Sequence, residues 1–134
     1  MRLWHVDLIP MLPDKQLQGQ WRECCLIAKG LHDGTLNHLL VNNVKEYPIE
    51  DFITYSMLVF QQMKKRGKNP IWERFGQYTS DKTRIIDLEK EIFPGWHNER
   101  YLRQCFYNLQ EKFDCGGIPV SDWIVISETI YDKI

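Results

Sequence analysis

No apolar run in this chain comes near the roughly 20 residues that a helix needs to cross a bilayer. The longest clusters, such as Ile124-Val125-Ile126, are a few residues long. The opening Met1-Arg2-Leu3-Trp4-His5 mixes charge and histidine into its first apolar residues and has no small-residue cleavage site. No signal peptide is expected there, and a cytoplasmic location follows. Cysteine is scarce: Cys24, Cys25, Cys105 and Cys115 contain an adjacent pair but no C-x-x-C, so free thiols are expected, not a disulfide frame. Histidine is equally thin. His32 and His38 are six positions apart, and His5 and His97 are isolated. No pair has the four-residue helical spacing of a zinc site, so neither metal nor cofactor is expected. The G-x-S-x-G turn, the phosphate-binding glycine loop and the dinucleotide fingerprint are all missing. Charge of one sign is lacking too: 17 basic against 18 acidic residues leave a net −1. Such a balance argues, on first inspection, against a nucleic-acid partner.

What is present is a globular composition. The 134 residues are 43% hydrophobic and 13% aromatic, enough for one core, and residues 1–134 are expected to form a single domain. The apolar pattern is helical. Pro13 opens a first segment in which Leu17, Trp21, Cys24 or Cys25, and Ala28 recur at helical steps, with Gly30 as a natural stop. A short second segment, Thr35 to Asn42, carries Leu36, Leu39 and Leu40 as a packing element. Pro48 starts a third, marked by Ile49, Phe52, Ile53, Ser56, Phe60 and Met63. It closes on Lys64-Lys65-Arg66-Gly67, a basic last turn that suits the helix dipole. Asn98 caps a fourth, with Leu102, Cys105, Phe106, Leu109 and Phe113 on one face and Cys115-Gly116-Gly117 as the break. Between the last two lies an aromatic, proline-containing stretch, helical over about Asp81 to Ile92. Strand-like residues occur only from Trp123 to Ile126. The expected class is all-α: about four helices with long aromatic-rich loops.

Charge is unevenly placed. From Gln62 to Arg84 the basic residues Lys64, Lys65, Arg66, Lys68, Arg74, Lys82 and Arg84 face only Glu73 and Asp81. The stretch reads equally as a basic face or as a solvated helix end with its loop. On the first segment Gln16, Gln20 and Glu23 follow one another at steps of four and three, along the edge of the apolar stripe. Arg22-Glu23 taken alone is an ordinary surface pair. Cys24 and Cys25 sit in mid-helix within an apolar pattern, which makes poor nucleophiles of them.

The tract Asp14-Lys15-Gln16-Leu17-Gln18-Gly19-Gln20-Trp21-Arg22-Glu23-Cys24, preceded by Arg2-Leu3-Trp4, resembles the opening of the pyrimidine-dimer DNA glycosylases of the phage endonuclease V type. The pattern is a terminal amine, an arginine beside it, a D-x-x-L, then aromatic-Arg-Glu on the first helix. Met63-Lys64-Lys65-Arg66-Gly67 and the H-x-E of His97-Asn98-Glu99 are similar to that family as well. The specific match covers residues 1 to 24; the remainder agrees in length and helical layout.

The resemblance implies a glycosylase with AP-lyase activity acting as a monomer on damaged double-stranded DNA. It implies a Schiff base on the terminal amine, here that of Met1, which a bulky charged second residue protects from removal. An α-amine titrates near about 7.7, against roughly 10.4 for a lysine, so it is a competent nucleophile without deep burial. Glu23 would stabilise the developing positive charge on the sugar and relay protons. DNA contacts would come from Arg2, Arg22, Gln16, Lys64, Lys65 and Arg66, with Lys68, Arg100 and Arg103 further out. The damaged nucleotide, unreachable inside the stack, must be distorted or flipped.

The chain departs from the family pattern in three places. Gln16 stands where the phage enzyme has a histidine, and Leu26 where it has an arginine. The end, Tyr131-Asp132-Lys133-Ile134, lacks an aromatic basic tail, although Trp123 lies further in. These departures bear on the lesion, a UV dimer in the family. Two alternatives stand beside this reading: a glycosylase for another modified base, and a non-catalytic helical module that binds DNA or protein.

Overall fold

The computed structural model describes residues 1–80 and 86–134. A 3-10 turn, Val6–Met11, precedes α1 (Asp14–Asp33). A second 3-10 turn, Asn42–Glu46, leads into α2 (Ile49–Lys65). A single α-turn, α3 (Glu73–Gly76), precedes α4 (Glu99–Asp114), α5 (Val120–Ile130) and a closing 3-10 turn, Tyr131–Lys133. The fold is all-α, as expected, with no strand among the described residues.

Proline and asparagine set the helix starts. Pro13, Pro48 and Pro119 precede α1, α2 and α5, and the Asn98 side chain caps α4 by accepting the Tyr101 N–H at 2.9 Å. α1 buries Leu17, Gln20, Trp21, Cys24, Ile27 and Ala28, a stripe at three- and four-residue steps. α1 and α2 run antiparallel. Arg66, just past the end of α2, donates to the carbonyls of Leu12 (2.6 Å) and Pro10 (3.0 Å) and to Asp14 Oδ1 (3.0 Å) at the start of α1. α3 packs on α1, and the first 3-10 turn fills the space between α2 and α5. Trp123 stacks on Phe113 of α4 at 5.0 Å between ring centres.

Several expectations are corrected. α1 runs past Gly30 and stops at Gly34, whose φ of 71° is the left-handed conformation that glycine adopts without strain. Gly30 is there for a close approach instead. A Cβ on it would lie 3.1 Å from that of Leu36, whose N–H shares the Gly30 carbonyl with that of Thr35. Thr35 to Val41 is a loop, not a helix, and Asn42 opens the second 3-10 turn: Leu36 is half-buried, while Leu39 and Leu40 are exposed. Residues 120–130, around the strand-like Trp123 to Ile126, form a helix, because tertiary packing of Ile126 and Ile130 in the core and of Trp123 on α4 outweighs local preference. Of the helix expected over Asp81 to Ile92, residues 81–85 lie outside the described residues and 86–92 are turns. There Asp87 Oδ1 accepts the Glu89 N–H, a local side-chain bond that competes with helix.

The turn after that segment is locked by a buried carboxylate. Asp51, only 2% exposed on α2, accepts the Phe93 N–H at 3.0 Å and pairs with Lys90 at 3.3 Å. Phe93 is fully buried at φ 53°, a conformation that costs a non-glycine residue free energy and persists only because the surroundings impose it. It begins an aromatic cluster. His97 packs 4.9 Å from both Phe93 and Tyr101, 4.8 Å from Trp96, and 5.2 Å from the stacked ring of His5.

Burial holds the His97 imidazole neutral, its pKa depressed to about 3 with a smaller contribution from His5, and burial likewise lowers that of His5. His97 Nδ1 accepts the Val6 N–H at 3.0 Å, which requires that nitrogen to be unprotonated. The unfolded chain, with a histidine pKa near 6.5, takes up protons first as the pH falls. This stability is therefore complete above pH ~6.5 and is lost between there and about 3. At pH ~4.5 the loss from His97 amounts to about 3 kcal/mol. His97→Phe should start about 1–3 kcal/mol less stable, with the Val6 N–H unpaired, but lose less on acidification. Urea denaturation at a series of pH values checks this. Equal slopes for parent and variant would mean that His97 is not the titrating group.

Candidate active site

The site is built where the first residues of the chain lie along α1. Gln20, one turn before Glu23, is 1% exposed and has both ends of its amide engaged. Its Oε1 accepts the Trp4 N–H at 2.8 Å, and its Nε2 donates to the Arg2 carbonyl at 2.9 Å. The Tyr55 hydroxyl of α2 stands 2.6 Å from the Trp4 carbonyl and 2.9 Å from Gln20 Oε1, its one proton shared between them. From the opposite side the Tyr101 hydroxyl of α4 donates to the Leu3 carbonyl. Three side chains on three helices thus grip the main chain of residues 2–4, and the Leu3 and Trp4 side chains sink into the core.

Glu23 completes the arrangement. It is half-buried, and its Oε2 accepts both the Arg2 N–H and the Gln20 Nε2–H, each at 3.3 Å. Oε1 has no partner among the described residues and is free to face a ligand. The Met1 α-amine is three covalent bonds from the Arg2 nitrogen, which puts it within roughly 7 Å of the Glu23 carboxylate by chain geometry alone. Met1 is exposed at 39%. The Arg2 guanidinium lies over the Trp4 ring at 5.1 Å, a cation–π contact that steers it along the surface.

The remaining candidates divide. Arg22 is exposed and lines a pocket of about 550 Å³ with Trp21, Leu26, Lys68, Ile71 and Arg74, three cations around an apolar floor. Gln16 is half-buried two turns before Glu23; its Oε1 is buried without a hydrogen-bond partner, at a recess between the start of α1 and the Gly116–Pro119 loop. Lys64 and Lys65 are exposed at the end of α2, beside the start of α1. Nine residues of helix, about 14 Å, separate that end from Glu23, so the lysines are not part of the immediate site. Arg66 is not a free cation: its guanidinium is taken up by Pro10, Leu12 and Asp14, and Lys68 also pairs with Asp14 at 3.5 Å. The basic stretch therefore presents fewer free charges than its sequence suggests.

Burial raises the pKa values of the Cys24 and Cys105 thiols and keeps them protonated, which removes both as nucleophiles. Sequence reasoning missed the grip residues Tyr55 and Tyr101, and it placed Gln20 only on the edge. One signal was available for Gln20: a neutral amide on the same helical line as Glu23, at the border of the apolar stripe, is well placed to satisfy a crossing main chain. Tyr55 gave none, because residues 51–56 of α2 are buried all round and show no one-sided pattern.

The chain start is thus clamped against α1 with a half-engaged carboxylate and the Arg2 side chain beside it. A family model described as pyrimidine dimer DNA glycosylase matches residues 1–74. The chain belongs to that family, whose members are DNA-repair enzymes. Neither a curated protein nor a solved structure matches it.

Gln20→Ala should cost about 2–3 kcal/mol, since the buried Trp4 N–H and the Arg2 carbonyl lose their partners together. It should also release the first residues, so that trypsin cuts after Arg2 faster than in the parent. Mass spectrometry of a timed digest reads this directly. An unchanged rate would show that the terminal segment is held by something other than Gln20.

Proposed function

We propose that the chain is a DNA glycosylase with AP-lyase activity, in which the Met1 amine attacks C1′ of a damaged pyrimidine nucleotide in duplex DNA. The observation that carries the proposal is the shared Glu23 Oε2 contact, which ties the carboxylate to the residue after the amine. In the first step the amine nitrogen forms a bond to C1′ and the glycosidic bond breaks, the electron pair leaving with the base. Loss of the amine proton and opening of the sugar ring give the Schiff base. Removal of a C2′ proton then expels the 3′-phosphate by β-elimination, and water releases the enzyme. Glu23, through Oε1, stabilises the positive charge that develops on the sugar and takes or returns the protons.

The rest of the surface supplies grip. Arg2 and Arg22 flank the carboxylate and suit the phosphates on either side of the lesion, with Lys64 and Lys65 one α1 half-length away as outer contacts. Gln16, whose Oε1 is buried, would reach the same strand through its amide N–H donors. Arg66 holds the two helices together and is not assigned to DNA. A UV-induced pyrimidine dimer is the lesion proposed from the family. Leu26 and Gln16, where the phage enzyme has an arginine and a histidine, are the positions at which this chain's choice of lesion would differ.

Borohydride reduction during reaction with a dimer-containing duplex should link protein and DNA, with the adduct on Met1 after peptide mapping. An adduct on Lys15 or Lys64 would refute the assignment of the nucleophile. Glu23→Gln keeps an acceptor for the Arg2 and Gln20 bonds, so folding should stay within about 1 kcal/mol of the parent. DNA binding should persist while strand cleavage is lost. Cleavage by the variant at the parent's rate would remove Glu23 from the mechanism.

A further inference from the structure

The turn between α1 and α2 holds two leucines out in solvent, at 89% exposure for Leu39 and 49% for Leu40. Single exposed leucines are ordinary on protein surfaces. This pair is unusual in being presented on a stiffened turn. The His38 carbonyl accepts the N–H groups of Val41 (3.0 Å) and Asn42 (2.9 Å), and His38 Nδ1 accepts that of Leu40 at 3.3 Å. The Asn42 side chain accepts the His38 N–H at 2.9 Å and donates to Asn37 Oδ1 at 3.1 Å. Val41, fully buried, anchors the turn in the core, and Leu36 seats its other arm on Gly30. A flexible loop could fold such leucines away from water; this one cannot.

The turn also stands in a particular place. Leu39 and Leu40 form one wall of a groove of about 460 Å³, and Arg100, Tyr101 and Gln104 of α4 form the other. Tyr101, which lines the groove, is also the residue whose hydroxyl holds the Leu3 carbonyl, so the groove and the clamped chain start share one side chain. Arg100 is exposed at its rim without an ion-pair partner among the described residues, whereas Arg103 pairs with Glu99. Glu46 is the acid of the lining, set beside Tyr47 and Trp96.

We propose that Leu39 and Leu40 are the duplex-opening element of this enzyme, apolar side chains that enter the base stack beside the lesion while Arg100 takes the adjacent phosphate. Inserted leucines unstack a base step and kink the duplex, and burying them between bases offsets part of that cost. The proposal rests on the glycosylase reading, because it supplies what the amine and Glu23 lack: a means of bringing C1′ of a stacked nucleotide within reach. A protein partner would favour a groove without the Arg100 phosphate contact and would leave duplex cleavage indifferent to the leucines.

The test compares the parent with Leu39→Ser/Leu40→Ser on two substrates, a lesion duplex and a single-stranded oligonucleotide carrying an abasic site. The second needs the amine and Glu23 but no unstacking. The ratio of duplex to single-strand cleavage should fall about tenfold or more in the variant. The fluorescence rise of a 2-aminopurine placed beside the lesion, seen on parent binding, should be lost. Leu39→Met/Leu40→Met, which keeps apolar bulk, should retain both. A ratio equal to the parent's, with the fluorescence rise intact, overturns the role of the leucines and leaves Met1 and Glu23 in place. Failure of the parent to cleave either substrate overturns the glycosylase reading, and this one with it. Both side chains are exposed, so the folded state of the variants is expected to be unaffected, and circular dichroism verifies it.

Discussion

The arrangement of the chain start depends on one buried amide. Gln20 offers an acceptor to Trp4 and a donor to Arg2, the pairing that a neighbouring β-strand would provide, from a single side chain on a helix. An extended segment crossing a helical protein has no ladder to join, and its polar groups must find partners singly. Gln20, Tyr55 and Tyr101 provide them, and the remaining donor of Gln20 reaches Glu23. The group that fixes the backbone therefore also orients the carboxylate. Removing it would disturb position and chemistry together.

A second constraint acts behind the first. The rings of His5, Phe93, Trp96, His97 and Tyr101 form a wall against which the terminal segment turns into its 3-10 helix. The wall owes its position to Asp51, which binds the Phe93 amide from α2 and holds that residue in a backbone conformation it would not choose alone. A buried carboxylate is costly unless fully bonded. Here it is satisfied by an amide and a lysine and in return fixes the aromatic turn. Neutral imidazoles suit such a wall because they pack as flat rings and can still accept a main-chain bond.

Sequence periodicity revealed α1, α2 and α4 because each has one apolar face and a recognisable start in Pro13, Pro48 or Asn98. It failed where context outweighed local preference. Val125 and Ile126 have strand-like side chains and are helical, with only Ile126 buried, and of the leucines of the 35–41 loop Leu36 alone has a neighbour to pack on, at Gly30. The Asp14–Glu23 tract made the family legible, because the arginine and the glutamate stand at fixed separation from the chain start. The grip of Tyr55 and Tyr101 was illegible for a physical reason: those residues lie 51 and 98 positions from the carbonyls they bind. Nothing in a local window announces such a pairing. Arg66 shows the reverse case, a residue whose basic neighbours suggested a ligand while its geometry serves the fold.

The same separations have a temporal consequence. The Val6 amide is closed by His97, and the Leu3 carbonyl by Tyr101. During synthesis Leu3 and Val6 are made some ninety residues before the Tyr101 and His97 side chains that close these two main-chain groups. Contacts of such long range form late, since the intervening loop must be closed before they stabilise anything. α1 and α2 can pair early as a local hairpin that already offers Gln20 and Tyr55 to Arg2 and Trp4, while the Leu3 carbonyl waits for α4. Residues 1–74, which match the family, thus draw two of the bonds on their opening segment from the other half of the chain.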